Sequence, residues 1–293
     1  MELAYIRLAS VLVIAIVYMV FDIFNNRNIP TVFVYSTLAY GALLTILYLE
    51  TYIILESLAI AAAILSIGYV LYRIGQLGAA DVVEIAAISL ILPIQNILPV
   101  HVQLFQLLPF ALSVVVNSGI VALIIVPLYY VPKSYLILRH EFLSKVDRKD
   151  VYRGVISTVA YSLFFLFLIY YGISFLGFVI MCLAIICIAV ITLFEKPMTM
   201  SMVSYQKPER IYEEDIIALN LMNNETVSKV KRSVPEFGRL MTGDILNKLR
   251  EKEPDTRLPV YRNAIPFALP IFIGIVLALF VGNVLAYIVP FGI

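Results

Sequence analysis

The sequence is poor in charged residues and in the residue types that bind metals or form disulfides. Only 14% of the 293 residues are Asp, Glu, Lys or Arg, whereas 62% are hydrophobic, and the mean hydropathy is +0.96. A soluble domain of this size does not have such a composition, which instead predicts a polytopic membrane protein. The net charge of +1 does not indicate nucleic-acid binding, because the charges are segregated along the chain rather than spread over it.

Cysteine and histidine are equally scarce. Cys182 and Cys187 lie in one apolar run, which favours small core residues over a CxxC site or a disulfide framework. His101 and His140 are far apart and have no neighbouring ligands, so we expect no metal site. We expect no cofactor either.

Long apolar runs dominate the chain, and eight of them can cross a hydrocarbon core about 30 Å thick. The sequence therefore predicts an all-α polytopic protein with about eight transmembrane helices. The first run has no basic segment before it and no A-x-A cleavage site, so we expect a retained span rather than a signal peptide. The eight runs cover residues 4–24, 31–49, 53–73, 82–98, 105–130, 155–174, 176–194 and 264–288.

Lysine and arginine predict the orientation, because they concentrate in cytoplasmic loops. Alternate loops hold 20 of the 21 basic residues, and only Arg7 lies elsewhere. We therefore expect a multi-pass protein of the cell membrane with its N-terminus outside. The basic segments are 25–30, 74–81 with Arg73 at the helix edge, 131–154 and 195–263, and the loops without basic residues are 50–52, 99–104 and 175.

One polar segment is long enough to form a subdomain. Residues 195–263 are charged, yet apolar residues recur at helical spacing in DIIALNLM and in VPEFGRLMTGDILNKL. We predict a small helical subdomain on the cytoplasmic side. The predicted organisation is transmembrane helices 1–7 over 1–194, with a catalytic core in spans 1–5, then the subdomain at 195–263 and a last transmembrane helix in 264–293.

Two aspartates stand at the predicted cytoplasmic ends of apolar runs. Asp22 closes the first run among Phe21, Ile23 and Phe24, where the dipole of its own helix opposes a negative charge. A carboxylate in such a place is a functional hypothesis by default. Asp81 opens the fourth run, so both carboxylates are expected at the same depth and at the same face of the membrane.

Asp81 also has a simple structural interpretation. In Asp-Val-Val-Glu, Asp81 can be the N-cap of a helix and Glu84 its N3 partner in a capping box. For Asp81 alone, a cap is better supported than catalysis. Glu84 lies one turn away and is either part of that cap or a third acid near the site, and the cap is favoured.

Two carboxyl groups held close together cannot both ionise easily, so they share a proton over part of the pH range. The ionised member can take a proton from water, and the neutral member can polarise a peptide carbonyl and protonate the leaving amine. This chemistry needs neither a metal nor a covalent intermediate.

The segment GAAD (Gly78–Asp81), together with Asp22 in DIFNNRNIP, resembles the archaeal type IV prepilin and preflagellin (archaellin) peptidases, which are GxGD-type intramembrane aspartyl proteases. LLPFALSVVVNSG and IPFALPIFIG add to the resemblance, which covers spans 1–5 and 8. Ala80 and Val83 depart from the family pattern, where Gly and often Lys stand. The two spans at 155–194 exceed the usual six, and their role does not follow from the sequence.

The resemblance implies an aspartic endopeptidase with Asp22 and Asp81 as its catalytic pair. It implies substrates that are pilin or archaellin precursors, cut at the cytoplasmic face between a basic leader and an apolar helix that stays in the lipid bilayer. Small residues at Gly78, Ala79 and Ala80 would allow a substrate strand to approach closely. Arg27 and Glu84 are further candidates for supporting roles.

A transporter or channel that uses the same acids is the main rival hypothesis. Transporters usually place their acids near the bilayer midplane, often at broken helices, whereas these acids lie at one edge of the predicted spans. A catalytically silent relative would be expected to lose one aspartate, and both are present.

Overall fold

The computed structural model of the protein describes residues 2–25, 29–47, 51–92, 108–170, 172–262 and 267–288. These ranges contain eleven α-helices and one two-stranded sheet, which confirms the prediction of an all-α polytopic protein. The apolar helices are α1 (Glu2–Phe24), α2 (Thr31–Ile46), α3 (Thr51–Arg73), α4 (Ala79–Ile91), α5 (Phe110–Leu138), α6 (Arg148–Tyr170), α7 (Phe175–Leu193) and α11 (Ala268–Phe280). The remaining elements are α8 (Glu195–Met202), β1 (Val203–Gln206), α9 (Asn224–Ser233), α10 (Gly243–Lys252) and β2 (Leu258–Tyr261).

Each predicted apolar run corresponds to one apolar helix, but their lengths differ. Five helices of the described ranges, α1, α3, α5, α6 and α7, are long and apolar enough to cross a membrane. Within these ranges α2, α4 and α11 are shorter, with 16, 13 and 13 residues. Residues 93–107, which include parts of the fourth and fifth predicted spans, lie outside the described residues.

Helix α4 lies at the centre of the membrane part. It packs against α2 and α3 and also contacts α1 and α5, while α11 packs against α5 and α1. Every residue from Glu84 to Ile91 is buried. Gly68 of α3 permits the closest approach, because a Cβ atom there would lie 2.2 Å from a methyl carbon of Val82. The segment with Asp81 and Glu84 is therefore enclosed by other helices.

Arg7 is buried inside this helical assembly, although it stands near the N-terminus of the chain. Only 1% of its surface is exposed. Its guanidinium donates hydrogen bonds to the carbonyl oxygens of Ile91, at 2.9 Å, and of Leu44. These carbonyls lie at the C-terminal ends of α4 and α2, where helices leave acceptors unpaired and a positive charge is favourable.

The polar segment forms a unit with its own core. Strands β1 and β2 pair antiparallel from Val203–Tyr261 to Gln206–Leu258. The prediction of helical structure in VPEFGRLMTGDILNKL holds only for its last part, GDILNKL, which lies in α10, and it is wrong for DIIALNLM. There Ile216 and Ile217 form bridges to other segments, and only a short 3-10 turn follows. The buried apolar core contains Ile211, Ile217, Val230, Val234, Phe237, Met241, Ile245, Leu246, Leu249, Leu258 and Val260.

Candidate active site

Asp22 lies in the last turn of α1 and is 6% exposed. Its Oδ2 accepts a hydrogen bond of 3.0 Å from the backbone N–H of Ala268, the first residue of α11. A helix N-terminus has unpaired N–H groups and a positive dipole end, both of which favour a carboxylate. The Asp22 carboxylate lies at the C-terminal end of α1, which disfavours negative charge, but it is bound at the N-terminal end of α11, which favours it. Asp22 and Ala268 are 246 residues apart in the sequence.

Asp81 lies in the first turn of α4 and is 9% exposed. The capping-box interpretation is wrong: the helix begins at Ala79, Gly78 is the N-cap residue, and Asp81 therefore occupies the third helical position. The helix starts earlier than the sequence suggested, because its two alanines are strong helix formers. Asp81 remains close to the positive end of the α4 dipole.

Gly78 lies directly against the Asp81 carboxylate. A Cβ atom at Gly78 would be only 2.8 Å from Asp81 Oδ2. Any side chain at this position would therefore displace the carboxylate or the backbone. This close approach to the end of the Asp81 side chain favours glycine here, whereas its φ of −73° is open to any residue.

Glu84 is fully buried, and neither of its carboxyl oxygens has a hydrogen-bond partner in the described part of the chain. Its carboxyl group lies within electrostatic range of those of Asp81 and Asp22. The structure therefore brings these three acids close enough to influence one another. The role of Glu84 as capping-box partner does not hold, because the N-cap is Gly78 and not Asp81.

Tyr18 joins this group from α1, one turn before Asp22. It is fully buried and shares a hydrogen bond of 2.9 Å between its hydroxyl and that of Thr37 on α2. It also interacts electrostatically with Glu84 and Asp81. The sequence analysis missed Tyr18 and Thr37, and helical spacing from Asp22 was the only signal that pointed to Tyr18.

The other candidates are placed only in part. Ala79 and Ala80 form the first turn of α4 beside Gly78. Arg27 lies outside the described residues. The described residues contain no group of three or more His, Cys, Asp or Glu side chains that could hold a metal ion.

The arrangement places two carboxylates from different helices at two helix N-termini, those of α11 and α4. Both positions favour negative charge, and the third carboxyl group, that of Glu84, is fully buried. Two carboxyl groups share a proton where they lie close together, and a shared proton is what activation of water against a carbonyl group requires.

Comparison with known families gives one result for the region of the site. Residues 9–127 match the family model of the type IV leader peptidases, and this region includes Asp22, Asp81 and Glu84. No curated protein and no solved structure matches the chain significantly. This match covers less than half of the 293 residues, so it shows similarity to that family over this region, and the five long apolar helices of the described ranges indicate a multi-pass membrane protein.

Proposed function

We propose that the protein is an aspartyl endopeptidase that removes basic leader peptides from archaeal pilin or archaellin precursors, with Asp22 and Asp81 as its catalytic pair. One observation carries the proposal. The two aspartates come from separate helices, both are buried, and both lie within electrostatic range of the same buried Glu84 carboxyl group. The family match supports the peptidase activity, and the two-carboxylate chemistry supplies its mechanism.

The two aspartates have different roles in this mechanism. Asp22, whose Oδ2 accepts the N–H of Ala268, acts as the base and takes a proton from water as the water oxygen attacks the peptide carbonyl carbon. Asp81 carries the shared proton, polarises the carbonyl oxygen and protonates the leaving amine. Cleavage leaves the proton on Asp22, and its return to Asp81 completes the cycle.

The proposed orientation places the site at the cytoplasmic face. The basic loops support it, because 20 of the 21 lysines and arginines lie on one side of the proposed arrangement. Arg7 does not weigh against it, since its charge is bound to helix ends inside the protein rather than to a loop. A junction between a basic leader and an apolar helix would lie at the depth of Asp22 and Asp81.

Substrate binding would involve the turn before α4. Gly78, Ala79 and Ala80 present backbone with little side-chain bulk beside Asp81, so an extended substrate strand can approach it. Arg27 lies outside the described residues and remains a supporting candidate on the basis of the sequence alone.

A cleavage assay tests the proposal. Membranes that contain the protein are incubated with a pilin or archaellin precursor, and the product N-terminus is read by mass spectrometry. Wild type is expected to cut at the leader–helix junction, and Asp81→Asn is expected to lose cleavage, because an amide cannot donate a carboxyl proton. Cleavage by a folded Asp81→Asn variant would overturn the proposal. If the wild type cuts no precursor and conducts ions in liposomes instead, the acids belong to a transporter.

A further inference from the structure

Glu84 has no role in the two-aspartate mechanism, yet it is the most completely enclosed acid of the site. It is 0% exposed, and both carboxyl oxygens lack a hydrogen-bond partner among the described residues. Buried polar groups in folded proteins are almost always paired, so an unpaired one requires an explanation. An apolar side chain of the same size would fit this interior better.

The surroundings of Glu84 make it a neutral group that can both donate and accept. Its charged neighbours are Asp81 and Asp22, and Tyr18 is the neighbouring phenol. An ionised carboxylate that faces two other acids is strongly disfavoured in a dry interior, so Glu84 carries its proton. A protonated carboxyl group offers one O–H donor and a carbonyl acceptor.

A peptide substrate supplies the matching groups. A peptide bond inside an apolar helix can reach the two aspartates only if the helix unwinds locally, which frees main-chain N–H and C=O groups. Away from water, these groups must find partners in the protein. Glu84 follows Asp81 by three residues, roughly 4.5 Å farther along α4 into its apolar part. It therefore lies on the side of the dyad where the substrate's apolar segment continues.

We propose that Glu84 is a substrate-binding residue whose carboxyl group hydrogen-bonds the unwound main chain of the substrate's apolar segment, just beyond the bond that is cut. This inference rests on the proposed peptidase function. It assigns Glu84 to main-chain recognition, which does not depend on the side chains of the precursor. The enzyme thereby accepts varied apolar sequences after the cut while it requires an unwound peptide.

Two substitutions separate this role from a structural one. Glu84→Gln keeps one donor and one acceptor and should retain cleavage within a few-fold of wild type. Glu84→Leu fills a similar volume without polar groups and should lower kcat/KM by about 10- to 100-fold, since the freed substrate groups stay unpaired. Ser89→Ala is the matched control, because Ser89 is buried on the same helix but its hydroxyl already donates to the carbonyl of Ala86.

Thermal unfolding in detergent accompanies the assay. Glu84→Leu should unfold at or above the wild-type temperature, so that its lost cleavage reports on binding. The inference is overturned if the Leu variant cleaves like wild type, or if the Gln variant is impaired as strongly as the Leu variant. If Asp22→Asn and Asp81→Asn still cleave, the proposed function fails, whatever Glu84 does.

A substrate-side measurement covers the case in which the Leu variant does not fold. Synthetic precursor peptides carry an ester in place of one amide at successive positions after the cut, which removes a single N–H and weakens the adjacent carbonyl acceptor. Cleavage by wild type should be slower when the ester is at one particular position. Cleavage by Glu84→Gln should be slower at the same position. Equal rates at every position would contradict a main-chain contact.

Discussion

At the scale of single residues, Gly78 and Asp81 depend on each other. The backbone of Gly78 lies so close to the Asp81 carboxylate that a methyl group would contact Oδ2 at 2.8 Å. The first turn of α4 thereby fixes where the carboxylate points. The absence of a side chain at Gly78 therefore leaves room for the carboxylate in its present position.

Substitution of Gly78 by alanine tests this dependence. The new methyl group should push the Asp81 carboxylate out of place and lower the cleavage rate by about 10-fold or more, since small displacements of catalytic groups are costly. Stability should change little, because alanine is accepted at the φ of this residue. The cleavage assay and thermal unfolding measure the two effects.

Gly119→Ala is the control for this substitution. Gly119 lies in α5, and a Cβ atom there meets nothing within 4 Å. Alanine in an exposed helix interior is favoured over glycine by up to about 1 kcal/mol, so this variant should be as stable and as active as wild type. A Gly78→Ala protein with wild-type activity would show that the contact does not position Asp81.

The sequence identifies candidate residues by the contrast between a charge and its apolar surroundings. This contrast was sufficient to single out Asp22, Asp81 and, less clearly, Glu84, and their catalytic roles stay predictions. It was not sufficient for the partner of Asp22, because a backbone N–H carries no residue signature and Ala268 is 246 positions away. Tyr18 was equally hidden, as an aromatic residue in an apolar helix is ordinarily a core residue.

At the scale of helices, Arg7 joins three elements. It belongs to α1 and binds carbonyl groups at the C-terminal ends of α2 and α4. Thr45 of α2 adds a hydrogen bond of 2.7 Å to the carbonyl of Leu90 near the same end of α4. The end of α4 opposite to Asp81 is therefore fixed by polar contacts within an apolar region.

Replacement of Arg7 by methionine should destabilise the protein. The carbonyl groups of Leu44 and Ile91 would lose their donor, and each buried unpaired carbonyl costs about 1–3 kcal/mol. A lower unfolding temperature in detergent is the expected result. Arg153→Met serves for comparison, because Arg153 is 69% exposed and its ion pair with Asp150 is long, at 3.9 Å. Equal unfolding temperatures for both variants would refute the anchoring role of Arg7.

Helix boundaries show where sequence periodicity stops being informative. Hydropathy located all eight apolar helices, but it ended the fifth too early, at 130 rather than Leu138. Pro127 and Pro132 lie inside that helix, where neighbouring helices let prolines be accommodated. The first turn of α4 was missed because Ala79 and Ala80 are not distinguished from loop residues by hydropathy alone.

At the scale of the whole molecule, the chain consists of an apolar helical part and a polar unit with its own core. The polar unit contacts the end of α3 and the turn that follows it: the hydroxyl of Tyr72 donates to Glu214 at 3.0 Å, and Gly75 lies beside Arg239. This turn leads directly to Gly78. The spacing of apolar residues predicted a subdomain in the polar segment. It did not predict the pairing of β1 with β2, because the paired residues are more than 50 positions apart.

Glu253 links the helices of the polar unit and makes its stability dependent on pH. It accepts hydrogen bonds from Lys229, Ser233 and Thr256, at 2.8, 2.9 and 2.9 Å. The bond from Lys229, followed by those from the two hydroxyls, lowers the pKa of Glu253. The ionised form therefore stabilises the unit above the unfolded pKa of about 4.3, and this contribution is lost as the pH falls through the lower folded pKa.

Glu253→Gln should consequently speed hydrogen exchange in α9 and α10 at neutral pH. The difference from wild type should shrink as the pH falls below the unfolded pKa of about 4.3 and through the lower folded pKa of Glu253. Asp255→Asn is the comparison, because Asp255 pairs with Lys207 at a site where its side chain is 88% exposed. A difference for Glu253→Gln that grows toward acid pH would contradict the direction of the pKa shift.

The most direct test of the central claim is cleavage by Asp22→Asn, measured together with its unfolding temperature. Asparagine keeps an oxygen that can accept the N–H of Ala268, so the anchoring of α11 is retained while the ionisable group is removed. We predict an unfolding temperature close to that of wild type and a rate of leader removal lowered by about 100- to 10,000-fold. A stable Asp22→Asn protein that still cuts at the wild-type rate would show that Asp22 only caps a helix, and the two-aspartate account would be wrong.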